Sequence, residues 1–322
     1  MSKARGLASL GNAYDDGALS NRNLIINGGF DVWQRSVSNS SVSANTYPAA
    51  DRWKFWTSGA VTGSTRTEFP AGQTGVSNLD YYNSISIGAN SASSDYSLFT
   101  QHIENVKVSN EQTFTVSFYA KASQSWTIAL EPIQNFITGG TTRALGTAET
   151  VTVGTSWSRH TVTFSTASIS GKTLSAGHNF ELAFWLTSGS DFSSRSAGIG
   201  NQTGTFDITG VQLEVGDTAT PFEHRSYGQE LALCQRYYFD ASDANLFIDA
   251  YSNTTGYSSL YVVFPTTMRT SPTVFVANSG SSNAQSFVAA SSRAVGVSLQ
   301  LRASGAGRFY ITGGYYRADA EL

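Results

Sequence analysis

"QTFTVSFYA", Gln112 to Ala120, alternates strictly: Phe114, Val116 and Phe118 fall on one face of an extended chain, and Thr113, Thr115, Ser117 and Tyr119 on the other. A period of two marks a strand with one face buried and one face open. "FELAFWL" repeats it, with Phe180, Leu182, Phe184 and Leu186 set against Glu181, Ala183 and Trp185. "WTIAL" and "HTVTFST" are shorter copies, and clusters of Gly, Asn and Ser at 73–78, 88–95, 139–140 and 188–204 separate the runs. In "FDITGVQLEV" the apolar phase slips at Gly210, from Phe206 and Ile208 to Val211, Leu213 and Val215, which predicts a bulge at that glycine. Many short strands with turn signals between them predict an all-β chain, built as an antiparallel sandwich over residues 23–224.

Beyond the sandwich the period changes. "SYGQELALCQRYY" places Tyr227, Leu231, Cys234 and Tyr238 at helical spacing, predicting a connecting helix over 225–240 that packs this stripe between two domains. Alternation then returns at Leu246–Ile248, Leu260–Phe264, Val274–Val276, Val295–Leu301 and Phe309–Ile311, giving a second, smaller β domain over 241–322. Residues 1–22 are small and polar, a composition that does not order alone. They read as an arm that becomes ordered on a partner. No internal repeat covers the chain, which sets aside solenoids and propellers.

The 322 residues carry 20 Lys and Arg against 23 Asp and Glu, a net charge of −3. Nothing in that balance draws the chain toward nucleic acid or anionic lipid. No run reaches the ~18 apolar residues of a membrane span. The N-terminal "MSKARGLASLGNAYDDG" has no signal-peptide apolar core, so the expectation is folding in a reducing cytoplasm without a Sec signal. Cys234 is the sole cysteine, which excludes an intrachain disulfide and a cysteine-rich zinc site.

Catalytic signatures are missing. His102, His160, His178 and His224 are scattered without metal-ligand spacing, and there is no nucleophile elbow or phosphate-binding loop. Glu104, Glu131 and Glu181 could pair as a glycosidase acid and nucleophile only if the fold set them at the right separation. The stronger signal is aromatic. In "ADRWKFW", Trp53 and Phe55 share one face, leaving Trp56 on the other; by the same parity Tyr119 and Trp185 leave the core faces of their strands. A sugar ring packs its C–H face on such a plane while polar neighbours bond its hydroxyls. Trp56, Tyr119 and Trp185 are therefore the candidate glycan platform. The competing expectation is that these rings fill an interface or lie under loops.

"NLIINGGFDVWQR" (23–35), "ADRW" (50–53), "GVQLEVGDTATPFEHRSYGQELALCQRYY" (210–238) and the closing "RADAEL" resemble bacteriophage virion proteins of the tail-fibre or receptor-binding kind. The 23–224 region is also similar to jelly-roll carbohydrate-binding modules, which open on an NGxFE-type strand and close on a DDVxL-type strand beside it. This second resemblance implies a structural calcium at Asp31 with a backbone carbonyl near Gly29, although Thr209 and Gly210 stand where the closing acids would be. Calcium takes about six to eight oxygens, so further carboxylates must converge there. Together the resemblances imply a non-enzymatic fibre or receptor-binding appendage. It would assemble in the host cytoplasm, attach to tail or capsid proteins through residues 1–22, form a homotrimer and bind host-surface polysaccharide, with no nucleic-acid or membrane partner. The alternatives are a capsid-attached head fibre or decoration protein without a ligand, and a polysaccharide depolymerase.

Overall fold

The computed structural model describes residues 22–322 except Thr74 and Ser77, so the expected N-terminal arm lies outside the described residues but for Arg22. The chain forms two compact units, one running through Ser226 and including Leu322, the other spanning Tyr227–Glu321.

In the first unit the strands are β1 (Ser38–Asn39), β2 (Lys54–Thr57), β3 (Val61–Glu68), β4 (Tyr81–Ile87), β5 (Tyr96–Glu104) and β6 (Thr113–Ala122). They continue with β7 (Trp126–Asn135), β8 (Ala144–Leu145), β9 (Glu149–Val153), β10 (Ser158–Ser165), β11 (Asn179–Ser188) and β12 (Gly204–Val215). One sheet runs β1-β3-β4-β12-β6-β10; the other runs β2-β5-β11-β7-β8, with β9 also on β7. Every pairing is antiparallel. The result is the antiparallel sandwich that the alternation predicts, with the jelly-roll architecture that the resemblance implies.

Parity decides what lies between the sheets. Phe114, Val116 and Phe118 of β6 face Phe180, Leu182 and Phe184 of β11, and all six are fully buried. Phe118 meets Phe184 edge-on with ring centroids 5.4 Å apart, and Phe114 stacks on Phe180 at 5.1 Å. Burying each such side chain contributes about 1.5–3 kcal/mol. The β12 phase slip appears as a register shift against β6 between Thr209 and Gln212. Gly210 sits there at φ 59°, a left-handed conformation that glycine adopts without steric cost.

The Asn-Gly-Gly turn of "NLIINGGF" packs onto this bulge. The Val211 amide donates to the Gly28 carbonyl at 2.9 Å, and a Cβ on Gly28 would stand 2.1 Å from the Val211 carbonyl oxygen. No residue but glycine fits. Asn23 completes the clasp: its Oδ1 accepts from the Leu213 amide at 3.0 Å, and its Nδ2 donates to the Val211 carbonyl at 3.2 Å. The start and the end of the sandwich are thus held side by side.

In the second unit, the helix α1 (Tyr227–Gln235) precedes β13 (Tyr238–Ser252), β14 (Tyr257–Val263), β15 (Thr273–Ala277), β16 (Gly280–Ser282), β17 (Ala284–Arg293), β18 (Gly296–Ala303) and β19 (Gly307–Asp319). One sheet is ordered β13-β19-β15 with β16 also on β19, the other β14-β18-β17. Val297, Leu299 and Leu301 of β18 are fully buried, as their alternation predicts. The helical stripe needs correcting: Tyr227 is 59% exposed and Leu231 half-buried, while Cys234 and Tyr238 are buried and Tyr238 already belongs to β13. The buried positions of α1 are Glu230 and Cys234, one turn apart, so the inward face is rotated from the one the spacing suggested.

Candidate functional site

The face of the β2-β5-β11-β7 sheet that points away from the core carries three registered rows. Trp56 lies opposite Leu98, Leu98 opposite Trp185, and Trp185 opposite Ala129. The next row is Lys54, Thr100, Ala183 and Glu131; the third is His102, Glu181, Ile133 and Leu145. Strand pleating sends the alternate residues, Phe55, Phe99, Phe184 and Leu130, into the sandwich. Rings and polar groups therefore share one outward surface.

A pocket of about 270 Å³ opens on this surface. Trp56, Tyr96 and Phe192 form its aromatic wall, Leu98 and Ile133 its floor, and Arg143, Glu181 and Arg195 its polar side. Tyr96 packs on Phe192 with centroids 4.8 Å apart, and the Lys54 ammonium lies 4.5 Å from the Trp56 ring centroid. Tyr96 was legible as the residue two before Leu98, hence on the same face. Phe192 sits in the loop after β11, where no period announces it.

Trp185 departs from expectation. It leaves the core face as parity requires, yet it is 0% exposed. Phe192 packs against it at 5.8 Å, the Arg195 guanidinium lies 5.1 Å from its ring, and its Nε1 donates to Glu131 Oε2 at 2.9 Å. It supports the wall and offers no open ring. Tyr119 is also displaced: it belongs to β6, on the other sheet, half-buried beside Gly210 and paired across to Arg159 and Thr209. Trp56 and Trp185 come together; Tyr119 does not join them.

Polar groups beneath the pocket are largely committed. Arg195 Nε and Nη2 donate to Glu131 Oε1 and Oε2 at 3.0 and 2.8 Å, so with Trp185 both carboxylate oxygens are occupied. Glu181 Oε2 accepts from Asn135 Nδ2 at 2.9 Å, and its Oε1 stands 3.8 Å from His102 Nε2. His102 Nδ1 donates to Asn179 Oδ1 at 2.9 Å, while its Nε2 and the Thr100 hydroxyl are buried without a hydrogen-bond partner. Burial holds the His102 imidazole below the usual histidine range, against the opposing pull of Glu181.

At the opposite sheet, burial and then the Asp80 carboxylate push Asp31 above the usual carboxylate range. Among the described residues no three His, Cys, Asp or Glu side chains converge as metal ligands. A larger open hollow of about 670 Å³ lies along residues 68–80. Phe69 in its lining is packed against Tyr82 and Trp157 at 4.9 and 5.2 Å. Among the described residues no helix is long and apolar enough to cross a membrane.

The fold defines the class: a jelly-roll β-sandwich with an aromatic and polar pocket on one outer face. No protein-family model matches the sequence. No curated protein sequence matches it. Solved structures similar to it include a family 4 carbohydrate-binding module, 18% identical, the match covering 59% of this chain and 98% of that one at a TM-score of 0.34. The N-terminal cellulose-binding domain of Cellulomonas fimi β-1,4-glucanase C is 13% identical over 57% of this chain and 98% of its own, with a TM-score of 0.32. The enzymatically active domain of tailspike protein 4 from bacteriophage CBA120 is 15% identical over 61% of this chain and 22% of that chain, at 0.34.

Proposed function

We propose that the protein is a non-catalytic component of a phage particle, a fibre or receptor-binding appendage, whose first unit binds host-surface glycan in the Trp56 pocket. The carrying observation is the pocket itself, where Trp56, Tyr96 and Phe192 face Arg143 and Glu181 across a floor of Leu98 and Ile133. Apolar rings on one side and hydrogen-bonding groups on the other suit a sugar, whose faces differ in the same way. Binding without cleavage is supported by the state of Glu131, whose two oxygens are both taken by neighbouring donors. The particle rests on the resemblance of residues 23–35, 50–53, 210–238 and the closing "RADAEL" to virion proteins, and the attachment through residues 1–22 on that resemblance together with their small, polar composition. Exposed Tyr251, Tyr257, Tyr261, Val263 and Phe275 in the second unit support self-association, read here as a homotrimer.

The test is calorimetric titration of the full chain with polysaccharide from the host surface and with a broad panel of neutral and acidic oligosaccharides. A Kd on the order of 0.1–1 mM per site is expected, as for a shallow pocket, with Trp56→Ala weakening it while the melting temperature holds. No binding to any member would overturn the reading and leave a spacer or decoration protein.

A further inference from the structure

We propose that the sugar taken by this pocket is an acidic one, and that Arg143 receives its carboxylate. The inference rests on the reading of the pocket as a glycan site and adds the chemical class of the glycan. Its starting point is the contrast between the two arginines of the wall. Arg195 is spent on Glu131 through a two-pronged ion pair, with its guanidinium laid over Trp185. Arg143 has no hydrogen bond or ion pair to any described residue, is exposed, and still lines the pocket.

Its position is set by backbone pairing. β8 pairs with β7 through Ala144 opposite Gln134 and Leu145 opposite Ile133. Continuing that register brings Arg143 beside Asn135, next to the polar side of the pocket. A free guanidinium fork matches a carboxylate in two parallel hydrogen bonds, which a neutral hydroxyl cannot reproduce.

The charge of the surroundings points the same way. Arg195 is paired with Glu131, and the Lys54 ammonium over the Trp56 ring also stands 3.5 Å from the Leu322 oxygen, whereas Arg143 keeps its charge unpaired. Glu181, the one carboxylate in the wall, is 4% exposed and already accepts from Asn135, whereas Arg143 reaches solvent. An arriving anion meets the guanidinium before it meets the buried carboxylate.

The experiment uses the full chain and oligosaccharides bearing glucuronate, galacturonate or sialate, each paired with its carboxyl-reduced neutral derivative. At least one acidic form should bind about tenfold more tightly than its reduced partner, and the advantage should shrink as salt rises from 50 to about 500 mM. Arg143→Gln should erase the preference, weakening the acidic form about tenfold more than its reduced partner while the melting temperature holds, and Arg143→Lys should restore part of it. Equal or better binding of every reduced form overturns the acidic-sugar inference and leaves the glycan site standing, as does a preference that survives Arg143→Gln. Failure of all acidic and all neutral sugars to bind overturns both.

Discussion

The two units of the chain use the same strand alternation to opposite ends. In the first, β11 buries all ten of its residues, because one side packs into the sandwich and the other is roofed by the loop carrying Phe192 and Arg195. In the second, β14 leaves Tyr257, Leu260, Tyr261 and Val263 exposed, spread over both of its faces, and it forms the edge of its sheet. A free edge with apolar residues on both faces is a template for another chain. The sandwich closes on its own core, whereas the smaller unit presents surfaces that a solitary chain does not cover.

The sharpest way to break this comparison is to empty the sandwich core. Phe184 is fully buried against Trp53 and Phe118, so Phe184→Ala should cost about 3–5 kcal/mol in urea unfolding of the first unit. A cost under 1 kcal/mol would mean that the two sheets are not packed through it. The second unit should behave otherwise. Tyr261→Ser combined with Val263→Ser, both on exposed positions, should change monomer stability by no more than about 0.5 kcal/mol yet shift sedimentation from trimer toward monomer. A wild-type chain that sediments as a monomer at micromolar concentration would remove the contrast altogether.

A smaller effect is expected at the pocket. Trp56→Ala should lower glycan affinity by about 0.5–1.5 kcal/mol, and Trp185→Ala should instead register mainly as lost stability, because its ring is covered and its Nε1 is bonded to Glu131. Equal effects of the two variants on affinity, with none on stability, would show that both rings meet the ligand.

The least effect is electrostatic. His102 faces Glu181 from β11, Lys54 from β2 and the neighbouring Arg52, and burial lowers its folded pKa below 6.5. The unfolded chain then binds the extra proton first, so stability is complete above pH 6.5 and declines as pH falls toward the lowered value. His160, also lowered by burial, adds to the same decline. His102→Gln should flatten the fall of the urea midpoint as pH drops below 6.5, and His160→Gln should do so independently. Asp31 and Asp207, both raised by burial, act in the opposite sense: each costs stability as pH rises from 3.8 through its folded value.

Strand parity carried most of the fold, because period two depends only on neighbours. It separated Phe114, Val116 and Phe118 from Tyr119, and the Gly210 phase slip located the bulge without reference to any other strand. Which sheet a strand joins is a long-range matter. Trp56 and Trp185 meet through Leu98, from a strand that neither adjoins in sequence, while Tyr119 has the same parity and lands on the far side of the sandwich. The cover over Trp185 comes from a loop, and loop contacts have no period to read. The stripe in α1 misled for a related reason: nine residues make too few turns for spacing alone to choose between the Leu231 side and the Glu230 side.

The clasp between Gly28 and Val211 carries a consequence for the order of events on the ribosome. β12 lies between β4 and β6 in its sheet, and the turn at Gly28 docks on it, so the middle of that sheet is supplied last. At about 5–20 residues per second, roughly 10–40 s separate synthesis of the opening turn from synthesis of its partner. From the completion of β6 at Ala122 until β12 emerges, β4 and β6 lack the strand that pairs with both of them. Whatever guards those edges until Val211 emerges, a chaperone or simply a low concentration of like chains, is as much a requirement of this fold as the glycine that closes it.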